Sequence, residues 1–242
     1  MVMTIYSKLI SSSKKGLFAL LVDPDKHNAD TLRGIASYAD TCGVDLFLLG
    51  GSLIKRGMEE TLQVLKAYTD IPVTLFPGSV FHLCSNADGI LLLSLISGRN
   101  PEFLIGNHVV AAHAIKDSGM EVIPTGYILV DTGKPTSVQY MSGTMPIPGN
   151  KPDIVVATAI AGEQLGNKAI YLEGGSGALN PISTSIIKEV KNNINIPIIV
   201  GGGIRTPQQV LSARKAGAAM VVIGSAIEQN IHKLNELVAA SR

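Results

Sequence analysis

Eight short and nearly unbroken apolar runs, with helical patterns between them, constrain this chain more than any other feature. They lie at 17–22, 44–49, 72–76, 89–93, 121–130, 168–173, 197–200 and 220–223. Continuous rather than alternating hydrophobicity marks parallel strands that are covered on both faces. Among the intervening segments, Leu32, Ile35, Ala36, Ala39 and Cys42 share one helical face, and so do Ile227, Ile231, Leu234 and Val238. Asn100-Pro101, Asn180-Pro181 and Thr206-Pro207 each put a capping side chain before a proline, which reads as a helix start; Thr206 with Gln209 also fits a capping box. Strand and helix alternating eight times predict a (β/α)₈ barrel, and 242 residues suit one such domain over 1–242.

Two units depart from the ideal. Residues 77–88 hold too few positions for a full helix with two loops, because Pro77-Gly78 and Ser85-Asn86 are spent on turns. The barrel is therefore expected to be modified, with the helix after the third strand short or missing. Residues 131–152, rich in Gly, Pro, Ser and Thr, are expected to form a long mobile loop over the catalytic mouth.

In a barrel, polar residues at the C-terminal ends of strands build the active site. That rule selects Asp23 and Asp25, Gly51-Ser52, Glu173, and the glycine turns after the last two strands. The stretch Ile170-Tyr171-Leu172-Glu173-Gly174-Gly175-Ser176-Gly177 runs a strand into one carboxylate and then into glycine. Ile198-Ile199-Val200-Gly201-Gly202-Gly203 and Met220-Val221-Val222-Ile223-Gly224-Ser225 break into glycine before helices. Such turns offer backbone N–H groups to a phosphate, and three of them together read as one anion site with an acid beside it. Asp23-Pro24-Asp25-Lys26 gathers two carboxylates and an ammonium, and its hard oxygens suit a Mg²⁺ that bridges a substrate phosphate.

Composition removes other classes. With 46% hydrophobic and 16% charged residues the chain has apolar surface for a large core and too little charge for disorder. A net charge of +1 gives no basis for binding nucleic acid. Cys42 and Cys84 have no metal-like spacing and read as apolar filler in a reducing cytoplasm. Lys14-Lys15 precede an apolar run, but Asp23 ends it far short of a signal or a membrane span. His108 and His113 do not share a helical face, so no histidine is assigned to metal or catalysis. A mean hydropathy of +0.30 predicts apolar surface covered by a second copy.

These motifs converge. Asp23-Pro24-Asp25-Lys26, Gly50-Gly51-Ser52, Ser97-Gly98-Arg99-Asn100-Pro101, Tyr171 through Gly177 and Gly201-Gly202-Gly203-Ile204-Arg205 together resemble geranylgeranylglyceryl phosphate synthases. These are Mg²⁺-dependent prenyltransferases on a modified TIM barrel that form the ether bond of isoprenoid glycerolipids. The resemblance spans nearly the whole chain. It implies Mg²⁺ at Asp23 and Ser52, with Lys26 neutralising charge. It also implies sn-glycerol 1-phosphate on Tyr171, Leu172, Glu173, Gly174, Gly175, Ser176, Gly177, Gly202, Gly203, Gly224 and Ser225. Glu173, ending its strand beside the phosphate turns, is read from its position as the base for the attacking hydroxyl. The family's usual glycine-asparagine at the last pair is here Gly224-Ser225. The second substrate implied is a polyprenyl diphosphate of the geranylgeranyl class, and Phe103, Leu104 and Ile105 are candidates for its groove. A homo-oligomer, dimer or hexamer, is expected. Two other readings use the same glycine turns: a barrel isomerase or lyase acting on a sugar phosphate, and a non-catalytic protein that binds a phosphate ligand.

Overall fold

The structure, a computed structural model, describes residues 4–12, 15–55 and 57–242; Lys14 of the basic pair lies outside them. Eight strands close into a parallel barrel in chain order. They are β1 (Leu17–Val22), β2 (Leu46–Gly51), β3 (Val73–Pro77), β4 (Gly89–Leu95), β5 (Glu121–Leu129), β6 (Ala169–Glu173), β7 (Ile198–Gly201) and β8 (Met220–Ile223). The helices are α1 (Ile5–Ser11), α2 (Ala29–Cys42), α3 (Met58–Tyr68), α4 (Asn107–Ser118), α5 (Ser137–Ser142), α6 (Pro152–Gln164), α7 (Thr184–Asn193), α8 (Pro207–Ala216), α9 (Ser225–Gln229) and α10 (Leu234–Ala240).

Apolar residues on both faces of each strand give two cores. One fills the barrel with Ala19, Leu48, Leu91, Tyr127, Tyr171, Ile199 and their neighbours. The other lies between sheet and helices, where Ile90, Leu172 and Val200 meet α-helical residues such as Leu32, Ile35 and Ile187. This two-layer burial is why the strands read as unbroken runs.

Helix α1 was not expected from the sequence. It sets Leu9 into the barrel-interior core. Its first amides, at Ile5 and Tyr6, donate to the Glu121 carboxylate at 2.6 and 2.9 Å. An acid at a helix N-terminus satisfies amides that have no partner inside the helix. The helix is thereby tied to the start of β5.

The unit after β3 is the modified one, as expected. Its connection holds a single 3₁₀ turn, Val80–His82, where the Gly78 amide donates to His82 Nδ1 at 3.2 Å. Strands β3 and β4 pair only at Thr74–Gly89 and Leu75–Ile90, although both run on toward the barrel mouth. The absent helix and the early end of pairing leave one flank of the barrel open.

Three expectations are corrected. Residues 131–152 are not a structureless loop: they contain α5, and Val130 bridges Ile147 in parallel. Asn180-Pro181 does not start a helix, because Ser183 caps α7 with its side chain. The final helical face is broken at Asn230, which is extended and whose side chain accepts the His232 amide, so α9, a 3₁₀ turn and α10 replace one helix. The helix start at Asn100-Pro101 is present as read: Asn100 accepts the Glu102 amide and the chain is helical from Pro101, with a π turn over Glu102–Gly106 leading into α4. The capping box of Thr206 and Gln209 is present as read.

Candidate active site

Glu173 ends β6 and is 6% exposed, although it faces the barrel mouth. One of its oxygens, Oε1, accepts the Gly175 amide of the following turn. Its position follows from register: β5 pairs with β6 at Tyr127–Tyr171 and Leu129–Glu173, and β6 with β7 at Glu173–Gly201. Side chains two apart on a strand share a face, so Tyr127, Tyr171 and Glu173 all point inward. Burial raises the Glu173 pKa above the ordinary carboxylate value, partly offset by hydrogen bonds from Gly175, Tyr127 and Tyr171. Both phenols are held well above their usual range, by burial first and then by the adjacent carboxylate.

The glycine turns close around this acid. Gly202 and Gly203 have φ of +84° and +75°, backbone that favours glycine. A Cβ at Gly202 would lie 2.6 Å from Glu173 Oε1, and one at Gly203 would collide with the Asn180 carbonyl. The turns after β6 and β7 therefore touch backbone to backbone. Ser176 and Ser225 approach to 3.4 Å between hydroxyl oxygens, which brings in the turn after β8. Among the described residues, the amides of Gly203 and Ser225 donate to no protein acceptor. Three turns thus face one polar cavity of about 220 Å³. Of the residues expected to hold glycerol phosphate, Leu172 is instead buried in the core between sheet and helices, and Gly174 and Gly175 do not line the cavity.

Across that cavity stands Asp23, whose Oδ1 accepts the Asp25 amide at 3.1 Å. Its Oδ2 is 3.8 Å from Lys26 Nζ. Burial raises its pKa; the Asp25 amide and the Lys26 charge pull the other way. Lys26 departs from a simple neutralising role, because its ammonium is paired with Glu228 Oε2 at 2.8 Å. Asp25 turns away and accepts the Lys55 amide at 3.0 Å. Ser52 lines the same cavity as Asp23. Among the described residues no cluster of three or more His, Cys, Asp or Glu side chains could hold a metal by itself. Asp23 and Ser52 supply two hard oxygens, a set suited to Mg²⁺ arriving with its own waters and a phosphate ligand.

A second cavity, about 570 Å³ and largely apolar, occupies the flank left by the missing helix. Ile90 and Leu92 form its sheet wall, Ala111 and Ile115 of α4 its helix wall, with Val80 and Leu83 along the short connection. Phe103 lines it as expected, but Leu104 and Ile105 do not, and Ile105 points to solvent. The two cavities share Gly51, Ser52, Leu53, Phe76, Tyr127 and Val138. Phe76, Tyr127 and Tyr171 pack with centroids 5.2–6.0 Å apart and form the floor where the cavities meet.

Sequence reasoning missed Tyr127, Glu228 and a role for Arg205. Tyr127 looks like any core aromatic, and only its pairing opposite Tyr171 marks it. The cysteines behave as filler: Cys84 is buried and its thiol pKa is pushed up to about 12.

Comparison with known proteins agrees with this geometry. The model of the PcrB family matches residues 10–241. The chain belongs to that family. It is 47% identical to the geranylgeranylglyceryl phosphate synthase of Spirosoma linguale, covering 99% of this chain and 96% of the relative. It is 48% identical to that of Chitinophaga pinensis, with 98% and 95% covered. A solved structure of (S)-3-O-geranylgeranylglyceryl phosphate synthase from Thermoplasma acidophilum, in complex with substrate sn-glycerol-1-phosphate, superimposes with a TM-score of 0.94. The two are 30% identical, and 99% and 98% of the chains are covered. Among the described residues no helix is long and apolar enough to cross a membrane.

Proposed function

We propose that this prenyltransferase joins a polyprenyl diphosphate, of the geranylgeranyl class, to the 3-hydroxyl of sn-glycerol 1-phosphate. The observation that carries the reading is the junction of the polar cavity with the apolar cleft at Phe76 and Tyr127. A phosphate on the amides of Gly203 and Ser225 puts the short glycerol chain against Glu173. A prenyl tail in the cleft between β4 and α4 presents its diphosphate end to Asp23, Ser52 and Lys26. A sugar-phosphate isomerase has no use for such a cleft.

The bond between the allylic carbon and diphosphate oxygen breaks with its electron pair on the diphosphate. A new bond forms from the glycerol oxygen to that carbon, and the hydroxyl proton passes to Glu173. The raised pKa of Glu173 suits a base that must accept a proton from an alcohol whose acidity grows only as the new bond forms. Tyr127 and Tyr171 hold the carboxylate in place. Asp23 and Ser52 would hold Mg²⁺, which would supply charge neutralisation for the departing diphosphate. Lys26 exchanges Glu228 for a diphosphate oxygen when that substrate enters. The protein works as a homo-oligomer.

Incubation with Mg²⁺, sn-glycerol 1-phosphate and prenyl diphosphates of increasing length, followed by mass analysis, should yield the ether-linked prenylglycerol phosphate and free diphosphate. Absence of ether product with every chain length would sink this reading.

A further inference from the structure

We infer that Arg205 is a positioning residue: it fastens the turns after β6 and β7 to one another, and the substrate phosphate completes its charge. The inference rests on the phosphate position proposed above and adds a residue to it.

The guanidinium is spent on carbonyls. Its Nη2 donates to Ala178 O, and its Nη1 to Leu179 O and Gly203 O, the last two at 3.2 Å. Ala178 and Leu179 belong to the turn that follows Glu173, and Gly203 to the turn that follows β7. One planar group therefore spans both segments that enclose the polar cavity. The arginine's own backbone is fixed as well, because its amide donates to Gln209 Oε1 at 2.8 Å inside the α8 capping box. Gly203 packs against the Asn180 backbone so closely that an added Cβ would collide with it.

Among the described residues no carboxylate lies within ion-pair distance of Arg205. Arg99 and Arg214 likewise donate to carbonyls without a carboxylate partner, but of these three only Arg205 faces the polar cavity. Arg205 nonetheless lines the polar cavity and is half-buried. A half-buried cation whose visible partners are all neutral carbonyls leaves its charge to be balanced from the cavity. A phosphate dianion on the Gly203 and Ser225 amides meets that need. The same anion would draw the Gly203 amide toward it and tighten the carbonyl contact on the other side of that residue. A lysine keeps the charge but cannot span three carbonyls with one planar fork.

The test is steady-state kinetics and calorimetric binding of sn-glycerol 1-phosphate for the wild type, Arg205→Gln and Arg205→Lys. Arg205→Gln should raise the KM and Kd for glycerol phosphate by about 10- to 100-fold, the worth of a charge-assisted contact. The KM for prenyl diphosphate and the kcat at saturation should stay near wild type. Arg205→Lys should recover only part of the loss. Unchanged glycerol phosphate affinity in Arg205→Gln overturns the inference, and so does an equal loss for both substrates. Full recovery in Arg205→Lys overturns the fastening role. Should Arg205→Gln fail to fold, Arg205→Lys decides alone: wild-type affinity refutes, selective loss supports. If the wild type itself does not bind glycerol phosphate, the phosphate assignment has failed rather than the role of Arg205.

Discussion

Glu173 holds the most chemistry of any single residue here, and its environment sets a sign for pH dependence. Burial raises its pKa, so the folded chain favours the protonated form. Its contribution to stability is therefore present below the ordinary carboxylate range and is lost as pH rises through the raised value. Activity should run the opposite way, because a Glu173 that acts as the proposed base must be ionised. The acid limb of kcat against pH should lie above the ordinary carboxylate value in the wild type. Glu173→Gln keeps the shape and should lower kcat by about 10²–10⁴-fold at saturating glycerol phosphate, with that limb gone. A kcat preserved at saturation would leave Glu173 a binding contact only. Glycine tests need more care. A Gly203→Val variant would place a branched side chain at φ +75° against the Asn180 backbone, so it disrupts both turns rather than probing a phosphate contact. Asp23 and Glu173 were legible in the sequence as candidates because each ends an apolar run at the C-terminal end of a barrel strand, the end on which the active-site loops lie. Tyr127 and Glu228 were not, since a strand tyrosine and a short-helix glutamate fit bland roles equally well until the barrel closes.

At the scale of elements, all eight strands were legible, with ends displaced by at most two residues, because burial on both faces writes an unbroken apolar run. The short connection after β3 was legible by counting residues. Helix α1 was hidden: only Leu9 among its residues is buried, and its N-terminal partner, Glu121, is more than a hundred positions away. Its role yields a separate prediction. Leu9 packs into the barrel interior and is 2% exposed, so Leu9→Ala should cost about 2–5 kcal/mol of stability. Glycerol phosphate KM should be unchanged at 25 °C, because Leu9 is not among the residues lining either site cavity. Denaturant unfolding measures the first, and kinetics the second. A loss of affinity without a loss of stability would contradict α1 as a purely structural element.

The whole molecule combines a closed barrel, which holds its acid rigidly, with one opened flank, whose apolar cleft is where the proposed prenyl tail would lie. Opening that flank leaves α4 as a wall of the cleft with much of its other surface unpartnered. Val109 and Val110 are 66% and 72% exposed, and Ile105 just before them is 59% exposed. Branched apolar side chains clustered on one short helical segment lose little by being covered in an association and are costly to leave in water. We propose that, in the homo-oligomer proposed above, this surface is the contact between copies. A copy seated there would brace α4 from outside, so assembly and the shape of the cleft are linked. Val110→Glu should then reduce the mass measured by light scattering at micromolar concentration to that of a smaller assembly. It should also raise the KM for long prenyl diphosphates more than that for glycerol phosphate, since the polar cavity is bounded by other elements. A wild type that is monomeric by light scattering would refute the oligomer. A Val110→Glu variant that keeps the wild-type mass would move the contact elsewhere on the surface. A reduced mass with unchanged kinetics would keep the contact on α4 and break its link to the cleft.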